Sequence, residues 1–137
     1  MSASQSAGIR FAGYAALFDL PDGIHDTIRQ GAFVKSLGSR TAPLPLYWQH
    51  NPDQQIGVIE TIAEDRRGLR VIARIDNPDS RAATALRRKN VSGLSFGYRA
   101  KAYRRNPQGR ELTEIELFEV SLVTHPLQPG ARVHLVA

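Results

Sequence analysis

The stretch ELTEIELFEVSLVT, residues 111–124, is dense in residues that favour extended backbone. It is the strongest strand in the chain, and any fold has to be built around it. A second extended signal is QIGVIETIAEDRRGLRVIARI, residues 55–75, in which two alternating segments flank EDRRG and predict a β-hairpin. Residues 98–103 alternate as well, and NPQGR turns the chain back toward the 111–124 strand.

The remainder fits around these strands. GIRFAGYAALF, residues 8–18, predicts a first strand, with DLPDG as its turn. HDTIRQGAFVKSLGSR predicts a short strand and then a brief helix, with Phe33 and Leu37 on one face and Gly38 as its stop. TAPLPLYWQHNP carries its prolines too close together for a helix interior, so it is extended, with Asn51–Pro52 expected to end it. NPDSRAATALRRKN predicts a second helix, capped by Asp79 or Ser80, with Ala82, Ala83 and Leu86 on its apolar face. The expected fold is mainly β with two short helices (α+β), and a closed or half-closed barrel at its core.

A chain of 137 residues holds one such core, so residues 1–137 are expected to be a single domain, with residues 1–7 as a flexible lead. The absence of cysteine excludes disulfides, thiol nucleophiles and cysteine-based zinc sites, and suits a reducing compartment. The start lacks the charged and apolar regions of an export signal. No apolar run approaches the roughly 18 residues of a membrane span, so neither export nor a membrane partner is expected. Residues 81–110 hold nine of the 18 Lys and Arg residues and no acidic residue. Such a segment fits nucleic acid, through release of phosphate counterions, or else a partner surface or a solvated face. The nearby aromatics Phe96, Tyr98 and Tyr103 match no nucleic-acid-binding signature.

Three residues stand out against this background. In VSGLSFGYRAK, Ser95 lies between Gly93 and Gly97 on one strand face, with Leu94 and Phe96 on the other. Gly-x-Ser-x-Gly is also the spelling of the α/β-hydrolase elbow. That elbow needs a strand before the serine, a helix after it, and a large parallel sheet; here a helix precedes Ser95 and an extended segment follows. Ser92, on the opposite face, is a weaker candidate. Glu119, in LFEVSLV, is expected on an apolar face with Leu117 and Val123, where an unpaired carboxylate is costly. It therefore needs an arginine or an imidazole as partner, whereas Glu114 and Glu116 read as solvated charges. His50, after LPLYWQ, is a core histidine or a base. Together the three supply a hydroxyl, an imidazole and a carboxylate, the parts of an acyl-transfer site.

At these residues the chain resembles the prohead proteases of tailed phages and phage-derived particles, which are distantly similar to the herpesvirus assemblins. The likeness runs through GYAALFDLPDG, IRQGAFVKSL, LYWQHNPDQQIGVIETIAED and LRVIARI. It is sharpest at VSGLSFGYRAK and LTEIELFEVSLVTHP. Carried over by motif, the family's base falls on His50 of WQHNP and its nucleophile on Ser95. Glu119 of EVSL takes the place of the second histidine in the assemblins' His-Val-Ala-Leu strand. Relatives often have Pro-Ala where this chain has Pro126 and Leu127.

The resemblance implies a herpesvirus-protease-like barrel and a serine endopeptidase that needs no metal or organic cofactor. Its implied partners are scaffold segments or the N-terminal extension of the major capsid protein, met inside the assembling prohead in the host cytoplasm. Self-cleavage is usual in the family, and a homo-oligomer stays open. The glycines beside Ser95 are expected to leave clearance for a peptide strand. A non-catalytic capsid-assembly module that binds scaffold, and a small basic nucleic-acid-binding β-barrel, remain the alternatives.

Overall fold

The hairpins read from the sequence form the frame. In a computed structural model, residues 8–137 are described; the expected flexible lead, residues 1–7, lies outside the described residues. The first strand is β1, Ile9–Leu17. After it come the short β2, Asp26–Ile28, a single-turn helix α1, Val34–Gly38, and β3, Pro45–Trp48. The 55–75 hairpin becomes β4, Asn51–Glu64, and β5, Gly68–Ile75. Helix α2, Arg81–Arg87, leads into the long pair β6, Gly93–Asn106, and β7, Gly109–Val123, and β8, Val133–Val136, follows. Of the two caps expected for α2, Ser80 is the one used: its Oγ accepts from the Ala83 N–H at 3.1 Å.

All eight strands belong to one curled sheet. The 111–124 segment is its hub. On one side β7 pairs antiparallel with β6; on the other it pairs parallel with β2 at residues 110–112 and with β3 at residues 120–122. From β3 the sheet continues through β4, β5 and β1 to β8. Its two ends are laced together by residues 131–133: Leu94 N–H donates to Ala131 O at 2.8 Å, Val133 N–H to Ser92 O at 2.8 Å, and Tyr14 N–H to Arg132 O at 3.2 Å. The mainly β, barrel-like architecture expected from the sequence is thus present. Phe11, Leu46, Leu69, Leu94, Leu117 and Leu122 fill its interior and are all but inaccessible to solvent.

Two local features differ from expectation, and both bear on the site. First, Asn51–Pro52 does not end the extended segment but begins β4. The reversal is a two-residue turn at Gln49 and His50, whose φ angles of 54° and 62° are both left-handed. Trp48 and Asn51 pair across it, as in a type I′ hairpin, a turn usually made with Asn-Gly. Second, β7 carries a bulge. Gly97 is opposite Glu119 and Tyr98 is opposite Leu117, which leaves Phe118 as the extra residue, 48% exposed. The bulge changes the parity of the strand. Ile115 and Leu117 point into the core before it, and Val120 and Leu122 do so after it. Glu119 therefore does not share a face with Leu117, as simple alternation predicts; it lies with Ser121 on the outer face.

A buried polar cluster ties β2 to the hub. The Asp26 carboxylate receives Arg110 Nε at 2.8 Å and Nη2 at 2.7 Å, and Tyr98 Oη at 3.0 Å. Chiefly the Arg110 guanidinium, and then the tyrosine, hold this carboxyl below the usual range despite its burial. Burial first, and the carboxylate second, push the Tyr98 hydroxyl up to about 12.

Candidate active site

The β3–β4 turn hangs over the outer face of β7. Gln49 N–H donates to Leu122 O at 3.0 Å. The Gln49 amide makes a reciprocal pair with Thr124, Nε2 to Oγ1 at 2.6 Å and Thr124 N–H to Oε1 at 3.1 Å. Pinned in this way, the next residue is carried back over the strand. His50 Nδ1 lies 2.6 Å from Glu119 Oε1, and the His50 backbone N–H donates to Ser121 Oγ at 3.1 Å. Ser121 in turn donates to Glu119 Oε2 at 2.7 Å. The partner that Glu119 required is thus an imidazole, and no arginine reaches it among the described residues.

Ser95 enters the same face from β6, directly across the ladder from Ser121. It is 6% exposed and Glu119 7% exposed, whereas the His50 side chain is 42% open to solvent. The three candidate residues therefore converge on one outer face. Among the described residues, no hydrogen bond joins Ser95 to the His50 ring. Such contacts are often long in unliganded sites and tighten when a substrate arrives.

The glycines beside Ser95 do not leave room for a peptide, as the sequence suggested. A Cβ on Gly97 would stand 2.6 Å from Glu119 Oε1, and one on Gly93 would stand 2.7 Å from both Val123 O and Pro126 Cδ. Their clearance is taken up by the protein's own carboxylate and by the 123–126 segment.

The other candidates lie elsewhere. Ser92 Oγ accepts from Arg132 Nη1 at 3.1 Å, a contact at the barrel seam. Glu116 pairs with Arg99 at 2.6 Å and Glu114 with Lys35 at 3.6 Å, both as surface charges. Sequence reasoning missed Ser121, whose only signal was its place two residues after Glu119, and missed Gln49, which had none.

The basic segment is less naked than its sequence. Arg99, Arg104 and Arg110 pair with Glu116, Glu111 and Asp26, all of which lie outside it.

The family model for caudovirus prohead serine proteases, Peptidase S78, matches residues 1–137. The chain belongs to this family. It is 31% identical over 130 residues to the prohead protease of Enterobacteria phage HK97, covering 90% of this chain and 58% of that relative. This chain thus spans somewhat over half the length of its relative. Solved structures share the architecture of this chain. The protease of KSHV, solved with a hexapeptide phosphonate inhibitor, matches with a TM-score of 0.64 and 15% identity over 95% of this chain and 65% of its own. The capsid assembly protease of bacteriophage T4 matches with a TM-score of 0.65 and 15% identity over 85% and 81%. At such identities these two likenesses speak for the fold alone.

Proposed function

We propose that this prohead-protease chain is a serine endopeptidase of capsid maturation in which Ser95 is the nucleophile, His50 the base and Glu119 the group that orients the base. The observation that carries the reading is the 2.6 Å contact between His50 Nδ1 and Glu119 Oε1 on the face that also bears Ser95. An imidazole held at Nδ1 by a carboxylate keeps the lone pair of Nε2 free. His50 takes the Ser95 proton as Oγ attacks a peptide carbonyl, and returns it to the leaving amine as the C–N bond breaks. A water, deprotonated by the same ring, then releases the acyl group. Backbone amides stabilise the oxyanion, a contribution of about 2.7–4 kcal/mol per donor in other serine proteases.

The substrates in this reading are scaffold segments, or the N-terminal extension of the major capsid protein, met inside the assembling prohead in the host cytoplasm; self-cleavage belongs to the same activity. Family membership supports this, as does the Enterobacteria phage HK97 relative that is itself a prohead protease. The exposed cations of residues 81–110 that lack a carboxylate partner among the described residues suit acidic segments of such partners better than DNA.

A non-catalytic assembly module is the second reading, and the burial of Ser95 away from hydrogen bonding to His50 is what favours it. Fluorophosphonate labelling, together with co-expression of a capsid precursor, separates the two. The protease reading expects labelling and precursor cleavage that are both lost in Ser95→Ala and in His50→Ala. An unlabelled native protein that leaves the precursor intact overturns it.

A further inference from the structure

We propose that Ser121 is a positioning residue that fixes which nitrogen of His50 carries the proton, an inference that rests on reading His50 as the base. Ser121 is wholly buried on β7 and directly opposite Ser95. Its hydroxyl has one proton to give and lone pairs to receive. The His50 backbone N–H, 3.1 Å away, can only donate, so Oγ accepts there and places its proton on Glu119 Oε2 at 2.7 Å. With Oε2 engaged as an acceptor, Oε1 faces His50 Nδ1 at 2.6 Å.

The contacts close a ring that leaves His50 by its backbone and returns by its side chain. Each link has a direction, and the direction starts from a backbone amide that cannot be reversed. A carboxylate accepting at both oxygens calls for Nδ1–H, which leaves Nε2 as the bare nitrogen. The opposite tautomer would set the Nδ1 lone pair against the carboxylate oxygen.

The ring also locates the turn. Gln49 and His50 both hold left-handed backbone that residues with a Cβ adopt at a cost, so the turn persists only where its surroundings impose it. Gln49 is held by Thr124 at the solvent edge. His50 is held from beneath by Ser121, and the same hydroxyl that anchors its main chain presents the carboxylate to its ring. Among the described residues no hydrogen bond joins Ser121 to Ser95, and in the proposed reaction Ser121 does not meet the substrate, so it acts through its neighbours.

Side-chain nitrogen NMR of His50 in the whole chain, paired with steady-state cleavage, tests this. The native protein is expected to show Nδ1–H with Nε2 bare. Ser121→Ala is expected to lose that single tautomer and to lower kcat roughly ten- to hundredfold with KM little changed. Ser121→Cys keeps the volume but only a weak donor, and should behave like the alanine variant; Ser121→Thr keeps the hydroxyl and should retain the native tautomer. In a Glu119→Gln background, Ser121→Ala should add little, because the two act as one unit.

A native tautomer in Ser121→Cys, or a Ser121→Ala loss that multiplies in full onto Glu119→Gln, overturns the proposal. A protein that shows the expected tautomers but cleaves nothing would instead count against the protease reading.

Discussion

Gly97 stands across the β6–β7 ladder from Glu119 so closely that a Cβ on it would lie 2.6 Å from the carboxylate oxygen that meets His50. The absent side chain is what allows the carboxylate to lie flat over β6 and reach the imidazole. Gly97→Ala is therefore expected to push Glu119 aside. Displacements of that size cost on the order of a hundredfold in rate, and overpacking costs about 1–3 kcal/mol in stability. Peptide-cleavage kinetics and a thermal melt on the same preparation check both numbers; unchanged kinetics would detach Glu119 from the reaction.

Glu119→Gln replaces an all-acceptor group with one that must present either an oxygen or an NH₂ to His50. In another Ser-His-carboxylate site the matching change lowers kcat by about 10⁴ through the wrong imidazole tautomer. A loss of that order is expected here, with the fold intact by circular dichroism. A loss of less than about tenfold would mean that the carboxylate is structural.

Asp26 makes a prediction about stability rather than rate. Its carboxyl sits below the ordinary value because Arg110, and secondarily Tyr98, hydrogen-bond to the charged form. The stabilisation is complete above the unfolded value of about 3.9 and is lost as pH falls through the lower folded value. Asp26→Asn should cost about 2–3 kcal/mol near neutral pH, less than a wholly buried pair because Arg110 keeps some solvent. Urea unfolding at neutral and acidic pH should show the variant and the native protein converging as the pH falls.

Tyr98 gives the alkaline counterpart. Burial and the Asp26 carboxylate raise its hydroxyl to about 12. Its contribution is present below the unfolded value of about 10 and is lost as pH rises through the folded one. Tyrosinate absorbance should show a late step near pH 12, accompanied by falling stability and absent in Tyr98→Phe. A native protein whose tyrosines all titrate near 10 would refute the burial argument.

The sequence made the strands legible wherever one face is buried and the other wet, as in residues 69–75 and in 115–117, because a period of two records that environment directly. It failed at Phe118. Both sides of the bulge look alternating, and nothing local marks the residue at which the alternation slips. Alternation alone therefore grouped Glu119 with Leu117, when pairing with β6 sets it beside Ser121. The Gln49–His50 turn was hidden for a related reason: the pair lacks the Asn-Gly type of sequence that marks such a turn, and the bonds that impose it come from Thr124 and Ser121, more than 70 residues away.

What the sequence determined by itself was the extended character of the chain and the presence of a serine between glycines, a histidine at a strand end and a carboxylate that could not stay unpaired. What only the tertiary structure decided was which of these meet. His50 and Glu119 are 69 residues apart in the chain and 2.6 Å apart in space. That approach depends on a parallel β3–β7 pairing, a bulge and a left-handed turn, each held by contacts distant in sequence. Local pattern records the burial of each residue, but not the register that brings one strand's outer face under another strand's turn.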